Sequence, residues 1–279
     1  MTTLKNCPAP AKLNLFLHVT GRRSDGYHLL QTVFRLIGLG DTLDFSVRRD
    51  GEIRRVNPLP DVPEKADLCL RAARALQHAS GCPLGADITL HKRLPLGGGL
   101  GGGSSDAATT LLALNRLWET RISPAQLRDI GLGLGADVPF FLFGHDAFAE
   151  GVGEILHTID LPPAHYVVLN PCVNVPTAQI FTSPDLTRNT SPIKVRGFTF
   201  SSTANDLQPV ACKLFPEIAS AISWLGQFAP ARMTGSGACV FAPVESSDAA
   251  AQIVRQCPAG WQAWQTVSLS RHPMLALET

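Results

Sequence analysis

The chain has 279 residues, 45% of them hydrophobic and 17% charged, with a formal net charge of +1. Such proportions belong to a folded globular protein of one large domain or two ordinary ones, and exclude a disordered or fibrous chain. Near-neutral charge with no basic face or tail excludes nucleic acid as an expected partner.

In chain order, the first predicted strand covers residues 13–19. Leu13, Leu15, Leu17 and Val19 alternate there with Lys12, Asn14, Phe16 and His18. One face is set for a core and the other carries chemistry. Further strands are expected at 30–37 and 42–47, separated by residues 38–41. A helix over 65–79 ends near Gly81, and a strand follows at 86–90. Beyond a glycine run, a helix starts near Ser104 or Ser105, with Ala107, Leu111, Leu114 and Trp118 forming a buried stripe. Ser123-Pro124-Ala125-Gln126 has the form of a capping box with proline at the first helical position, opening a helix to about Gly131. Strands are expected at 148–150 and 166–170, and helices at 177–181, 205–225 and 247–256. Residues 233–241 read as strand, glycine turn, strand, and 187–196 as a polar loop. Strands and helices intermingle without a regular βαβ repeat, so the fold class is α+β.

Seven cysteines, odd in number and without a C-x-x-C pair, argue against both a disulfide framework and a zinc site. Residues 1–10 carry no apolar targeting core, and no run of 18 apolar residues occurs. The expectation is a cytoplasmic protein without a membrane partner.

The most informative segment is Pro95-Leu96-Gly97-Gly98-Gly99-Leu100-Gly101-Gly102-Gly103-Ser104-Ser105, with six glycines in seven positions. Glycine accepts positive φ and bars no ligand, so successive N–H groups can converge on an anion. The following helix adds unpaired N–H donors and the positive end of its dipole. A flexible linker is the bland alternative, but a strand and a striped helix bound this loop. Gly97, Gly99 and Gly102 also satisfy G-x-G-x-x-G, yet no strand ending in an acidic residue follows, as a dinucleotide site requires. No lysine follows the glycines, so the Walker pattern is absent too. Charge neutralisation must come from elsewhere, and Lys12 is a candidate.

Three separated segments, Pro10-Ala11-Lys12-Leu13-Asn14-Leu15, the glycine loop and Met233-Thr234-Gly235-Ser236-Gly237-Ala238, resemble those of the GHMP kinases. Gly26-Tyr27-His28, Gly135-Ala136-Asp137-Val138-Pro139 and Ala204-Asn205-Asp206-Leu207 match a branch of that family acting on a cytidine diphosphate-linked polyol. Leu29 departs from the acidic residue expected after His28. Composition places a domain boundary around residues 153–163. With the chain divided there as 1–156 and 157–279, the resemblance implies a ribosomal-S5-like nucleotide domain first, a ferredoxin-like domain closing over substrate second, and an active site between them. It implies ATP and Mg²⁺ as cofactors, a small-molecule acceptor, and a monomer or weak homodimer.

Each role has a bland competitor. Asp137 is an N-cap for a short helix through Phe143 or, by resemblance, the catalytic base. Lys12 is a solvated strand lysine or the partner of that base. Tyr27 and His28 form a surface turn or, by resemblance, part of a cytosine site, with Tyr27 stacking and His28 and Asn14 bonding. Phe181 is core or the second stacking face. Thr177 and Asp206 are further substrate contacts, Ser104 or Ser105 is the candidate for touching Mg²⁺, and Gly235-Ser236-Gly237 is a tight hairpin or a border of the site.

Overall fold

The computed structural model describes residues 2–60 and 62–278. A long antiparallel pair opens the chain, β1 (Thr3–Arg22) and β2 (His28–Arg48). There follow β3 (Ile53–Arg55), α1 (Leu68–Ser80), β4 (Gly85–His91), α2 (Gly102–Leu117), α3 (Pro124–Leu134), α4 (Val138–Phe143), β5 (Ala147–Glu150) and β6 (Ile155–Thr158). The second half comprises β7 (His165–Asn170), α5 (Thr177–Thr182), α6 (Gln208–Leu214), α7 (Pro216–Leu225), β8 (Arg232–Met233), β9 (Val240–Val244), α8 (Ser247–Arg255) and β10 (Gln262–Val267).

The first six strands form one sheet in the order β3-β4-β2-β5-β6, with β1 paired to β2. The last four form another, β10-β7-β9-β8. Apolar side chains of α1 to α4 pack with Phe34, Leu36, Leu43 and Phe45 on one side of the first sheet. On its other side, Leu13, Leu15, Phe16 and Ile37 meet Tyr166, Val168 and Phe241 of the second sheet. The far side of that second sheet is covered by Val210, Ala211, Ile218 and Ile253 of its helices. The α+β class is as expected.

This layering corrects the reading of β1. Sandwiched between helices and a second sheet, it has both faces buried, and Phe16 is as enclosed as Leu13. Register shifts after Pro10 and after Asn14 break the simple alternation, so Leu17 and Val19 join a different core from Leu13 and Leu15. Lys12 is 3% exposed, which removes the solvated-lysine reading.

Residues 38–41 do not separate two strands, for β2 runs through them as one strand. Gly40 lies opposite the bulge in β1, and a Cβ there would stand 2.4 Å from the Ala9 carbonyl oxygen. Close approach of two backbones, not chain reversal, is why glycine sits there.

The expected stripe on α2 is a fully engulfed helix: across residues 105–117, all but Asn115 and Arg116 are buried. Helix α1 is capped by Asp67 and ended by Gly81 at φ 65°, and the Ser123–Gln126 capping box of α3 is formed. The single helix expected over 205–225 is two, broken before Pro216, whose ring cannot continue α6. The short strands β3 and β6, and β10 near the C-terminus, had no clear signal in the sequence. All seven cysteines are free thiols, and among the described residues no helix is long and apolar enough to cross a membrane.

Candidate active site

A cleft of about 760 Å³ runs between the glycine loop, β1, β2, α5 and the loop joining β8 to β9. Lys12, Asn14, Tyr27, His28, Asp137, Thr177, Phe181 and Ser236 all face it, with Gly97, Gly99, Gly101 and Ser104 of the loop.

The loop is tightly packed. Gly97, Gly99 and Gly101 have φ between 68° and 72°, and a Cβ on Gly99 would stand 2.2 Å from the Thr234 carbonyl oxygen. At Gly101 it would meet the Phe141 ring at 2.9 Å. Lys12 N–H donates to the Leu100 carbonyl (3.0 Å) and Cys239 N–H to the Gly98 carbonyl (3.1 Å), so the loop is pinned from both halves of the chain. These contacts dispose of the linker reading. Gly98, Leu100 and Ser105 are buried behind the loop surface, and Pro95, Leu96, Gly102 and Gly103 also lie outside the cleft lining, with Leu96 exposed to solvent. Of the two serines, Ser104 is in the cleft wall; the Ser105 hydroxyl is buried without a partner among the described residues.

At one end of the loop, Lys12 Nζ lies 3.5 Å from Asp137 Oδ2 and donates to Asn14 Oδ1. Asp137 stands at the N-cap position of α4, but its side chain accepts no backbone N–H there. The carboxylate is thus free of the capping duty that the sequence alone allowed. Asn14 is committed to this end: Nδ2 donates to Thr32 Oγ1 (2.9 Å) and its N–H to Thr234 Oγ1 (2.9 Å). That places it beside Lys12 rather than among the aromatic residues.

The aromatic end is built by the turn after β1 and by α5. The His28 and Phe181 rings are 5.1 Å apart, tilted by 32°, and Tyr27 is 65% exposed at the rim. Burial, with Arg188 and Arg22 nearby, lowers the His28 pKa from its ordinary value. Thr177 and Ser236 join across the cleft through their hydroxyls at 2.8 Å. The residues between β8 and β9 form no tight two-residue turn. Asn205 Nδ2 donates to the Met233 and Gly235 carbonyls, both at 2.8 Å, and so holds that segment against the glycine loop. Asp206 lies outside the cleft lining, its carboxylate accepting from Val19 N–H and the Thr190 hydroxyl at 2.7 Å each.

Several contributors escaped the sequence reading. Thr32 and Thr234 were unmarked, although Thr234 belongs to a quoted motif. Beneath the loop, Lys92 Nζ bonds Asp41 Oδ2 (2.5 Å) and Asp106 Oδ2 (3.1 Å), while Asp41 Oδ1 accepts from the N–H groups of Arg93 and Leu94. Burial pushes the Asp106 carboxyl up to about 7, against the pull of Lys92 and with the push of Asp41.

An engulfed helix behind a glycine loop, with a lysine–aspartate pair at its mouth, is the arrangement of a phosphoryl-transfer site. Residues 67–145 match the family model described as GHMP kinases N terminal domain, and residues 195–263 match GHMP kinases C terminal. The chain belongs to the GHMP kinase family, ATP-dependent kinases of small molecules. It is 64% identical to 4-diphosphocytidyl-2-C-methyl-D-erythritol kinase of Azoarcus sp. (strain BH72), over 98% of this chain and 97% of that one. The protein of the same name from Janthinobacterium sp. (strain Marseille) is 56% identical, over 99% and 98% of the two chains. The crystal structure of a 4-(cytidine 5'-diphospho)-2C-methyl-D-erythritol kinase superposes with a TM-score of 0.81 at 35% identity, covering 94% of this chain and 98% of that one. Homoserine kinase from Cytophaga hutchinsonii, 17% identical with a TM-score of 0.72 over 98% and 96% of the two chains, shares the fold.

Proposed function

We propose that this chain transfers the γ-phosphoryl group of ATP to the 2-hydroxyl of 4-diphosphocytidyl-2-C-methyl-D-erythritol, an isoprenoid precursor. The observation that carries the proposal is the Lys12–Asp137 pair, placed in one cleft between the glycine loop and the aromatic end. The full-length similarity to kinases of that name supports the choice of acceptor.

In this reading, N–H groups at Gly97, Gly99 and Gly101 and the start of α2 hold the nucleotide phosphates. Asp137 takes the proton of the acceptor hydroxyl as the phosphoryl group arrives. Lys12, buried and braced by Asn14, offsets the charge growing on the transferring group. Such a transfer demands positioning and charge neutralisation more than covalent chemistry, and these groups supply both.

Mg²⁺ favours a few protein oxygens together with substrate phosphates and water. The Ser104 hydroxyl in the cleft wall is an oxygen donor that fits it; when bound, the ion would offset phosphate charge. Tyr27 and Phe181 flank the base, with His28 as a hydrogen-bonding group. We further take residues 1–156 as the nucleotide-binding part and 157–279 as the part closing over the acceptor.

The test is ADP release by the purified protein with each acceptor offered in turn. Turnover is expected with the cytidyl substrate. Turnover with mevalonate or homoserine in its place overturns the assignment.

A further inference from the structure

The aromatic end of the cleft joins two distant stretches of chain, and Arg188 connects them. A guanidinium carries five N–H donors in a fixed plane and stays protonated in proteins. Here Nη2 donates to the carbonyls of Phe181 (3.0 Å) and Ser183 (2.7 Å), and Nη1 to that of Leu186 (3.1 Å). The first two carbonyls belong to the end of α5, where backbone acceptors lack helical partners. Nε donates to His28 Nε2 at 3.1 Å. One side chain therefore sets the position of Phe181 and of His28 together.

The last bond has a chemical consequence. A guanidinium nitrogen can only donate, so His28 Nε2 must present its lone pair. The imidazole is then neutral with its proton on Nδ1, the state that burial and the neighbouring arginines also favour. Nδ1 has no hydrogen-bond partner among the described residues, and His28 lines the cleft. A donor of fixed identity therefore stands 5.1 Å, ring to ring, from Phe181.

We propose that Arg188 is a positioning residue for base selection: it holds His28 as the Nδ1–H tautomer beside Phe181, presenting a donor that suits the N3 lone pair of cytosine and opposes the N3–H of uracil. The proposal rests on the functional reading above and deepens it. Losing Arg188 frees His28 to offer either a donor or a lone pair, so uracil is no longer disfavoured.

The experiment uses the full chain in three forms, wild type, Arg188→Met and Arg188→Lys. Each is given the cytidine diphosphate-linked acceptor and its uridine counterpart, with folding checked by thermal melting. In Arg188→Met, the cytidyl-to-uridyl ratio of kcat/KM is expected to fall by about tenfold, the scale of one misplaced polar contact. The kcat at saturating cytidyl substrate stays within about threefold, because a binding contact acts on KM. Arg188→Lys, which restores a donor, recovers part of the ratio. Nitrogen-15 NMR of histidine-labelled wild type is expected to show His28 protonated at Nδ1, and Arg188→Met a mixture of tautomers. An unchanged ratio in folded Arg188→Met, an equal loss with both acceptors, or an Nε2-protonated His28 in wild type overturns the proposal. Wild type inactive on both acceptors refutes the functional reading itself, and that result is read before any variant.

Discussion

Asp137 occupies the N-cap position of α4, yet its carboxylate turns to Lys12, with Oδ2 3.5 Å from Nζ, and caps nothing. Chain direction at a helix start usually enlists an aspartate side chain for the free N–H groups. Here Pro139 sits in the first turn, and φ −86°, ψ −13° at Asp137 carries the chain into α4 without a side-chain cap. The carboxylate is left for the cleft.

Under the proposed mechanism, Asp137→Asn removes the base without changing size. The expected kcat falls by about 10² to 10⁴, the range of a general-base contribution. Nucleotide affinity stays near wild type in titration calorimetry; no helix cap is lost, so any fall in melting temperature reports the buried Lys12 losing its partner. A variant with near-normal kcat shows that the carboxylate takes no proton.

Gly101→Ala tests whether the loop is built or slack. A Cβ there meets Phe141 at 2.9 Å and Lys12 Cγ at 3.1 Å, at φ 71°. An alanine forced to positive φ against packed neighbours costs more than about 1 kcal/mol. Urea unfolding should report that loss, together with weakened ATP binding. Gly133→Ala, where a Cβ meets nothing within 4 Å, is the control. It lies inside α3, so the alanine is expected to stabilise by about 0.5–1 kcal/mol.

Removing either ring of the aromatic end, in Tyr27→Ala or Phe181→Ala, is expected to raise KM for the cytidyl substrate. Stacking on a base is worth about 1–3 kcal/mol, so the rise is about tenfold or more. KM for ATP stays unchanged. A parallel rise in both constants shows a general collapse of the cleft instead.

Asp106 predicts a pH dependence of definite sign. Its carboxyl is raised by burial to about 7 in the fold, above the ordinary value of 3.8. The folded state therefore binds the proton more tightly, and its contribution is fully present below pH 3.8 and lost as pH rises through about 7. His272 opposes it: buried and lowered to about 4 from 6.5, it contributes stability above 6.5 that is lost as pH falls through about 4. The wild-type curve mixes these two with Asp146, whose carboxyl burial raises to about 6, so the difference between wild type and Asp106→Asn is the clean measurement. In urea unfolding, wild type should lose stability relative to the variant between about pH 4 and 7. A flat difference overturns the assignment.

Local structure was more legible in the sequence than the layering of its elements. Local devices survive translation into structure because neighbours on the chain decide them: the Asp67 cap, the Gly81 stop, the Ser123–Gln126 box and the positive-φ glycines of the loop. Gly38 to Asp41 misled because glycine serves a turn and a close backbone crossing alike, and only the partner strand distinguishes them. The edge strands β3 and β10 gave no signal because neither is a buried apolar run or a clean alternation.

The sequence by itself determined a glycine loop of a form suited to phosphate, a nearly neutral chain without a C-x-x-C pair, and which lysine and aspartate to suspect. Only the tertiary structure decided that Lys12 is buried, that Asp137 turns away from its helix, and that Asn14 serves the lysine. The same structure let Arg188 reach His28 from the other half of the chain. The physical reason is common to all four. Each depends on what a second layer brings within a few ångströms, and one strand's periodicity carries no information about the layer that will cover it.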